Sequence, residues 1–226
     1  MEKLRIIFMG TPDFAVGILD FILKKNYEVV GVITAADKPA GRGQTIKYSA
    51  VKEYALANNL HLLQPTNLKD ENFLTELKSL NANLQVVVAF RMLPKVVWEM
   101  PKLGTFNLHA SLLPDYRGAA PINWAIINGD SKTGVTTFFI DDKIDTGAMI
   151  LSKEIEILPD ENAGSLHDRL MLLGSETVVQ TLDLIENEKE RLILSKNCIN
   201  LSDKMFSSSI AAKKILNTFL GKVSSF

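Results

Sequence analysis

The sequence predicts an α/β fold in which a mostly parallel sheet is flanked by helices. Short apolar segments alternate along the chain with longer segments whose apolar residues recur at helical spacing. The apolar run at residues 84–90 (LQVVVAF) is typical of a strand in the centre of such a sheet, where both faces are covered. No internal repeat or low-complexity segment interrupts this alternation.

The first elements predict one strand–helix–strand unit. Residues 4–9 (LRIIFM) and 29–34 (VVGVIT) are apolar runs typical of buried strands. A helical pattern runs between them as far as Lys25, with Thr11 as the expected N-cap and Pro12 at the first helical position. The crossover between the two strands is expected to be right-handed.

The remaining segments continue the alternation of strand and helix. A polar stretch rich in proline and glycine, residues 36–44, predicts a long loop. Helices are expected at residues 51–58, 71–80, 120–127 and 165–186, and strands at residues 60–63, 84–90, 104–109, 135–140 and 149–157. The last two strands alternate polar and apolar residues, which predicts antiparallel additions to the sheet.

Composition narrows the class of protein. The chain has 226 residues, the size of one large domain, and a formal net charge of −1, so no overall field favours nucleic acid or a membrane surface. Its single cysteine, Cys198, excludes a disulfide framework, and its three histidines are too far apart in sequence to form a metal cluster. With no signal peptide and no apolar run near the roughly 20 residues of a spanning helix, a cytoplasmic protein that makes no membrane contact is expected.

The side chains best suited to chemistry lie in the strand predicted at residues 104–109. Asn107 and His109 are two positions apart, so both side chains point to the same face of a strand. An amide that donates a hydrogen bond, beside an imidazole that transfers a proton, suits a carbonyl group that becomes an oxyanion. The loop at residues 141–147 (DDKIDTG) adds carboxylates, one of which can orient the imidazole or accept a proton from an attacking amine. Taken alone, each pattern is more often structural than functional.

Other motifs predict no site. Residues 10–12 precede a helix but lack the G-x-G-x-x-G pattern of a dinucleotide site. His61 and His167 have no polar companions at ligand spacing and are expected to be ordinary surface or helix residues. Cys198 has no histidine near it in sequence, so a catalytic role is not expected.

Several segments together resemble the methionyl-tRNA formyltransferase family, and they occur in the family's order. They are residues 6–15 (IIFMGTPDFA), 38–43 (KPAGRG), 107–122 (NLHASLLPDYRGAAPI), 133–136 (TGVT) and 145–147 (DTG). The resemblance covers about residues 1–195 and implies a Rossmann-like sheet with the formyltransferase catalytic-domain fold. It implies formyl transfer from 10-formyltetrahydrofolate to the α-amino group of methionine on initiator tRNA, in translation initiation and without a metal.

The resemblance also implies roles for single residues. Asn107, His109 and Asp145 match the family's catalytic positions. The first two would stabilise a tetrahedral oxyanion, and the third would hold the imidazole or relay the amine proton. Lys38 and Arg42 lie in the loop that wedges into the tRNA acceptor end in the family, with Arg42 as its key basic residue. Folate contacts are expected from Val88, Phe90, Leu93, Ser111, Leu112, Leu113 and Pro114.

Other folate-dependent formyltransferases remain alternatives. Glycinamide ribonucleotide formyltransferase has about this chain length, but that family typically has proline where Ala110 follows His109, and it lacks the loop at residues 39–43. Sugar-amine formyltransferases share the chemistry but also lack that loop. The resemblance therefore favours methionyl-tRNA over a ribonucleotide or a sugar amine as the acceptor.

The expected domain organisation is a catalytic domain at residues 1–195 and an atypical tail at residues 196–226. The tail has five lysines and one acid, a net charge of +4, which leaves −5 for the rest, and its apolar residues at helical spacing predict a terminal helix. No counterpart of the C-terminal β-barrel domain that the family carries is expected in this tail. A truncated, weakly active or inactive remnant, arising by a frameshift or as a genuine short variant, is therefore a further alternative. A monomer is expected.

Overall fold

The computed structural model describes residues 3–40 and 45–187 of the chain. Arg42, the expected domain boundary near residue 195 and the helix expected in the tail lie outside the described residues. The strands are β1 (Arg5–Gly10), β2 (Glu28–Ile33), β3 (Lys38–Ala40), β4 (Thr45–Lys47), β5 (Leu62–Leu63), β6 (Leu84–Val88), β7 (Thr105–His109), β8 (Lys132–Phe139) and β9 (Met149–Glu156). The helices are α1 (Asp13–Lys24), α2 (Ala50–Ala57), α3 (Glu71–Ser79), α4 (Lys95–Trp98), α5 (Pro121–Ile127) and α6 (Ala163–Glu186).

The main sheet has seven strands in the order β5–β2–β1–β6–β7–β8–β9. The first five pair in parallel, whereas β8 runs antiparallel to β7 and β9 runs antiparallel to β8. β6 is the middle strand, and each of its residues is buried. The predicted α/β class, the central strand and the two antiparallel additions are confirmed.

The sheet separates two apolar clusters. Ile6 and Phe8 of β1 belong to the first cluster and Ile7 and Met9 to the second, because side chains alternate between the faces of a strand. Helices α1, α2, α5 and α6 cover the first cluster, and α3 and α4 cover the second. Each fully buried aliphatic side chain contributes roughly 1.5–3 kcal/mol to stability. The two clusters therefore fix the strand ends, from which the site described below is built.

Three local predictions were incomplete or wrong. Helix α1 has Pro12, in an extended conformation with ψ 176°, as its N-cap. The Pro12 carbonyl accepts hydrogen bonds from the N–H groups of Ala15 and Val16, so the prediction of Thr11 as N-cap was wrong. The stretch predicted as one long loop, residues 36–44, contains β3, which forms a separate antiparallel pair with β4 directly after the stretch. Helix α4 was missed because a single turn is too short to show a helical period.

Candidate active site

A cavity of about 810 Å³ lies at the carboxyl ends of β6 and β7. Its wall includes Phe14 and Leu108 from the first apolar cluster and Val87, Leu93 and Trp98 from the second. Ligands bind at this edge of parallel sheets, and the volume is that of a site for a drug-sized molecule. The cavity therefore extends across the edge of the sheet, with one end on each face.

Strand β7 places Asn107 and His109 in the cavity wall. In the sheet Asn107 lies opposite Val87 of β6 and Phe138 of β8, and both of these neighbours also line the cavity. His109 follows on the same face and is 7% exposed, whereas Leu108 between them packs into the first cluster. The prediction that Asn107 and His109 point to one face is confirmed.

The loop between β8 and β9 brings a carboxylate to the imidazole. The loop starts beside the beginning of β7, where the Ile140 N–H donates to the Thr105 carbonyl at 2.8 Å. It then runs back along β7, so that Asp145 Oδ2 lies 3.8 Å from His109 Nδ1. The Asp145 side chain is 16% exposed, and its Oδ2 also accepts a hydrogen bond from the Gly118 N–H at 2.7 Å. Asn107, His109 and Asp145, predicted together, are brought together by the structure.

The contacts of His109 assign its neutral tautomer. Nε2 lies 2.8 Å from the carbonyl oxygen of Tyr116, and because a carbonyl only accepts, the proton of the neutral ring is on Nε2. The lone pair is then on Nδ1, which faces the Asp145 carboxylate. A proton that arrives at Nδ1 would lie between the imidazole and the Asp145 carboxylate. The pair is therefore arranged to accept a proton.

Positive φ angles concentrate around the site. Ala89, Tyr116, Ala120 and Asp145 have φ between 47° and 56°, and all except Tyr116 line the cavity. A residue other than glycine costs about 1 kcal/mol or more in this left-handed region and persists where its surroundings hold it. The hydrogen bond from Gly118 holds Asp145 in this way. Strained backbone conformations thus occur at residues that form or support the wall of the cavity.

The residues expected to contact folate divide into two groups. Phe90 and Leu93 line the cavity. Val88 is fully buried in the first cluster, because alternation along β6 turns Val87 rather than Val88 toward the cavity. The structure places the other four, Ser111, Leu112, Leu113 and Pro114, outside the cavity wall.

Residues 111–114 form a turn behind the site. Ser111 is fully buried, and its hydroxyl donates to the Asp115 carbonyl at 2.6 Å. The Leu113 N–H donates to Thr136 Oγ1 at 3.1 Å, and Leu112 packs closely over Gly134. Pro114 is exposed. Their contact with folate stays a prediction, because the structure brings none of the four to the cavity.

Sequence reasoning missed His167, which lies at the end of the cavity formed by the first apolar cluster. His167 was expected to be an ordinary helix or surface residue, but it lines the cavity and packs edge-on against the Phe14 ring, with ring centres 5.3 Å apart. Phe14 lies in the first turn of α1 and His167 in the second turn of α6, and both helices begin at the same edge of the sheet. No sequence motif marks this meeting, although the parallel topology places helix starts beside strand ends.

The base of the β3–β4 hairpin is held by one buried lysine. Lys52 of α2, with 11% of its side chain exposed, forms an ion pair with Asp37, the residue before β3. Its Nζ also lies 3.8 Å from the centre of the Tyr48 ring, and Tyr48 directly follows β4. The Lys52 ammonium, and after it the Gln64 amide, hold the pKa of Asp37 below its ordinary value of 3.8. Both ends of the hairpin are therefore attached to α2.

The predicted tRNA contacts lie in this hairpin. Lys38 is the first residue of β3, and its backbone pairs with that of Lys47. Arg42 falls between β3 and β4, outside the described residues.

Within residues 3–40 and 45–187, no group of three or more His, Cys, Asp or Glu side chains is arranged to hold a metal ion. In that part of the chain, every helix is too short or too polar to cross a membrane.

The chain matches a family described as formyl transferase over residues 3–182. It is 86% identical over 187 residues to methionyl-tRNA formyltransferase of Flavobacterium johnsoniae, and 79% identical over 186 residues to methionyl-tRNA formyltransferase of Flavobacterium psychrophilum. The alignments cover 83% and 82% of this chain and 59% of each relative. The chain thus spans about three-fifths of the length of these curated relatives.

Solved structures agree on the fold. Phosphoribosylglycinamide formyltransferase from Streptococcus pneumoniae superposes with a TM-score of 0.68 and 16% identity, covering 81% of this chain and 99% of that one. At this identity the likeness concerns the fold alone. On the match over residues 3–182 and the high identity to the two relatives, the chain belongs to the formyl transferase family.

Proposed function

We propose that this chain transfers a formyl group from 10-formyltetrahydrofolate to the α-amino group of methionine carried by initiator tRNA. One observation carries the proposal: Asn107, His109 and Asp145 meet at one cavity in a chain 86% identical to a protein named methionyl-tRNA formyltransferase. A strand and a distant loop supply the three side chains, so the fold has to bring them together. The acceptor belongs to translation initiation, which makes the cytoplasm the proposed place of action.

The arrangement suits addition of an amine to a formyl carbon. As the amine nitrogen bonds to that carbon, the formyl oxygen becomes negative, and Asn107 donates a hydrogen bond to it. A positioned donor of this kind lowers the barrier by about 3 kcal/mol. His109 accepts the amine proton at Nδ1, beside the Asp145 carboxylate. The imidazolium then gives a proton to the departing folate nitrogen, so the C–N bond breaks and neutral histidine returns.

The end of the cavity on the second apolar cluster fits the flat ring of the formyl donor. Phe90 and Leu93 line this end, together with Val87, Trp98 and Ile140. Apolar walls with a few polar groups at one side are typical of sites for heteroaromatic ligands. Arg91, Lys95 and Lys143 also line the cavity and offer positive charge to the carboxylates of a folate.

We propose a supporting role for residues 111–114. Ser111 holds the Asp115 carbonyl, and the next carbonyl along the chain, that of Tyr116, accepts the hydrogen bond from His109. The turn therefore positions the imidazole from behind the cavity. This role accounts for the burial of Ser111 without requiring contact with the donor.

The β3–β4 hairpin is the proposed contact with the tRNA acceptor end. Lys38 lies in it, Arg42 lies between its strands, and Lys52 anchors its base. A local positive charge attracts phosphates even where the chain as a whole is close to neutral. Residues 1–195 are proposed as the catalytic domain, since the family match ends at residue 182 and α6 ends at Glu186.

A formylation assay with two acceptors tests the proposal. With 10-formyltetrahydrofolate as donor, we expect a higher kcat/KM for methionyl-tRNA than for glycinamide ribonucleotide. Asn107→Ala and His109→Ala are expected to lower turnover about 100-fold or more. Donor binding, followed by the fluorescence of Trp98 in the cavity wall, is expected to persist in both variants. A preference for the ribonucleotide, or unchanged turnover in both variants, would contradict the proposal.

A further inference from the structure

The cavity has a second end, at which the proposed mode of binding places no part of the formyl donor. The donor end is lined by residues of the second apolar cluster, among them Val87, Trp98 and Ile140. The opposite end, here called the acceptor end, is lined by Pro12, Phe14, Pro121, Asn123 and His167. These five residues come from the starts of α1, α5 and α6, on the other face of the sheet. A transfer reaction needs two substrates that meet at the reacting groups, so the second substrate approaches through this end.

At the acceptor end, His167 is the residue whose ring carries hydrogen-bonding nitrogens, and two contacts orient this ring. Its Nδ1 lies 2.9 Å from Asp168 Oδ1, and because a carboxylate accepts, Nδ1 carries a proton. The Phe14 ring, which is buried, packs against it at an interplanar angle of 66°. Among the described residues, Nε2 has no hydrogen-bond partner, and the side chain is 35% exposed. Nε2 is therefore available to a ligand.

The charge at the acceptor end indicates what kind of group it takes. The five residues named for it include no lysine or arginine, whereas Arg91, Lys95 and Lys143 line the cavity elsewhere. A phosphate at this end would find no cationic side chain among these residues. An aromatic ring, an imidazole and the exposed Asn123 amide together suit a nucleoside, whose base packs on rings and whose hydroxyls pair with polar side chains.

We propose that Phe14, Asn123 and His167 form a subsite for the uncharged terminal nucleoside of the acceptor, with His167 Nε2 paired to a ribose hydroxyl. The inference rests on the proposed function, since it concerns an aminoacyl group esterified to that ribose. The nucleoside occupies the acceptor end, and the aminoacyl group extends from it toward His109. Recognition of the acceptor thus begins at the sugar next to the reacting amine, separately from the hairpin.

Two small acceptors test the subsite without the rest of the tRNA. Methionyl-adenosine carries the nucleoside, and methionine methyl ester lacks it. In His167→Ala, the ratio of kcat/KM for methionyl-adenosine to that for the methyl ester is expected to fall about three- to tenfold, the effect of one hydrogen bond. Phe14→Leu, which keeps a buried apolar side chain, is expected to lower the same ratio. His61→Ala is the matched control, because His61 is an exposed histidine paired with Glu76 that does not line the cavity, and it leaves the ratio unchanged.

A binding measurement separates this inference from the proposed function. Adenosine is titrated into the chain, and the imidazole resonances of wild type and His167→Ala are followed by nuclear magnetic resonance. We expect adenosine to shift the His167 resonance and to bind more weakly to the variant. A wild type that formylates no aminoacyl acceptor would refute the proposed function, yet this titration would still test the subsite. An unchanged acceptor ratio, or tighter binding of ribose 5-phosphate than of adenosine, would overturn the inference.

Discussion

Gly147 lies so close to Phe139 that an added Cβ would overlap the Phe139 carbonyl oxygen. The contact occurs where the β8–β9 loop closes, beside the hydrogen bond from the Phe139 N–H to the Ala148 carbonyl at 2.9 Å. A glycine is therefore required here for space, and its position two residues after Asp145 ties this requirement to the site.

Gly147→Ala is expected to lower the free energy of unfolding by about 3 kcal/mol or more, because the backbone has to move to admit the methyl group. Turnover is expected to fall as well, since the same loop carries Asp145. Urea denaturation and the formylation assay measure the two effects. Gly129→Ala is the control: its φ is +68° with open space around it, so only about 1 kcal/mol is expected. Equal losses in the two variants would argue against the steric explanation.

Asp145→Asn is expected to lower kcat about 10²- to 10⁴-fold while leaving the fold intact. The amide still offers an oxygen to the Gly118 N–H, but it removes the charge that faces His109 Nδ1. Asp160→Asn, an exposed carboxylate before α6 and outside the cavity, is expected to keep normal turnover. A normal kcat in Asp145→Asn would show that the carboxylate takes no part in the mechanism.

Ser111→Ala distinguishes support of the imidazole from contact with the donor. Losing the hydroxyl releases the Asp115 carbonyl and loosens the neighbouring Tyr116 carbonyl that orients His109. We expect kcat to fall about tenfold, as for the loss of one positioned hydrogen bond, with the KM for 10-formyltetrahydrofolate unchanged. A raised KM with unchanged kcat would instead favour the folate contact predicted for residues 111–114.

Lys52→Met is expected to loosen the base of the β3–β4 hairpin. The variant loses the ion pair with Asp37 and a cation–π contact with Tyr48 worth about 1 kcal/mol. In Lys52→Met, the backbone amides of Lys47 and Tyr48 are expected to exchange hydrogen faster than in wild type. Lys52→Arg keeps the charge and can stack on an aromatic ring, so the same two amides are expected to exchange as slowly as in wild type. Identical exchange in wild type and Lys52→Met would show that the ion pair does not hold the hairpin.

The contribution of Asp37 to stability is expected to depend on pH. Because its pKa in the folded chain lies below the ordinary 3.8, the stabilisation is present above about pH 4 and is lost as the pH falls through the folded value. The difference in unfolding free energy between wild type and Asp37→Asn should be constant from about pH 5 to pH 7 and shrink toward zero below that window. A difference that grows on acidification would have the wrong sign for this ion pair.

Sequence alone predicts those parts of the fold and site that local periodicity determines. Strand alternation was sufficient to place Asn107 and His109 on one face, and the apolar run at residues 84–90 predicted the central strand. The residues alone left open which carboxylate of loop 141–147 would serve His109. The resemblance selected Asp145, whose position beside His109 depends on a loop that runs the length of β7.

The parts that sequence missed depend on tertiary geometry. His167 reaches the cavity because α1 and α6 begin at the same edge of the sheet, a fact of topology that no motif encodes. Thr11 was chosen as N-cap on residue preference, but the extended Pro12 supplies the capping carbonyl itself. Residues 111–114 matched a motif, and the match does not distinguish a residue that touches a ligand from one that supports its neighbour.

The stretch from Tyr116 to Gly118 gives His109 its acceptor and Asp145 its donor. One short segment of backbone thus sets the spacing between the His109 imidazole and the Asp145 carboxylate. A shift of this segment would displace the imidazole and the carboxylate together, so neither would keep its position in the site. In the proposed mechanism, catalysis therefore depends on two consecutive peptide units, Tyr116–Arg117 and Arg117–Gly118, whose side chains need not take part in the reaction.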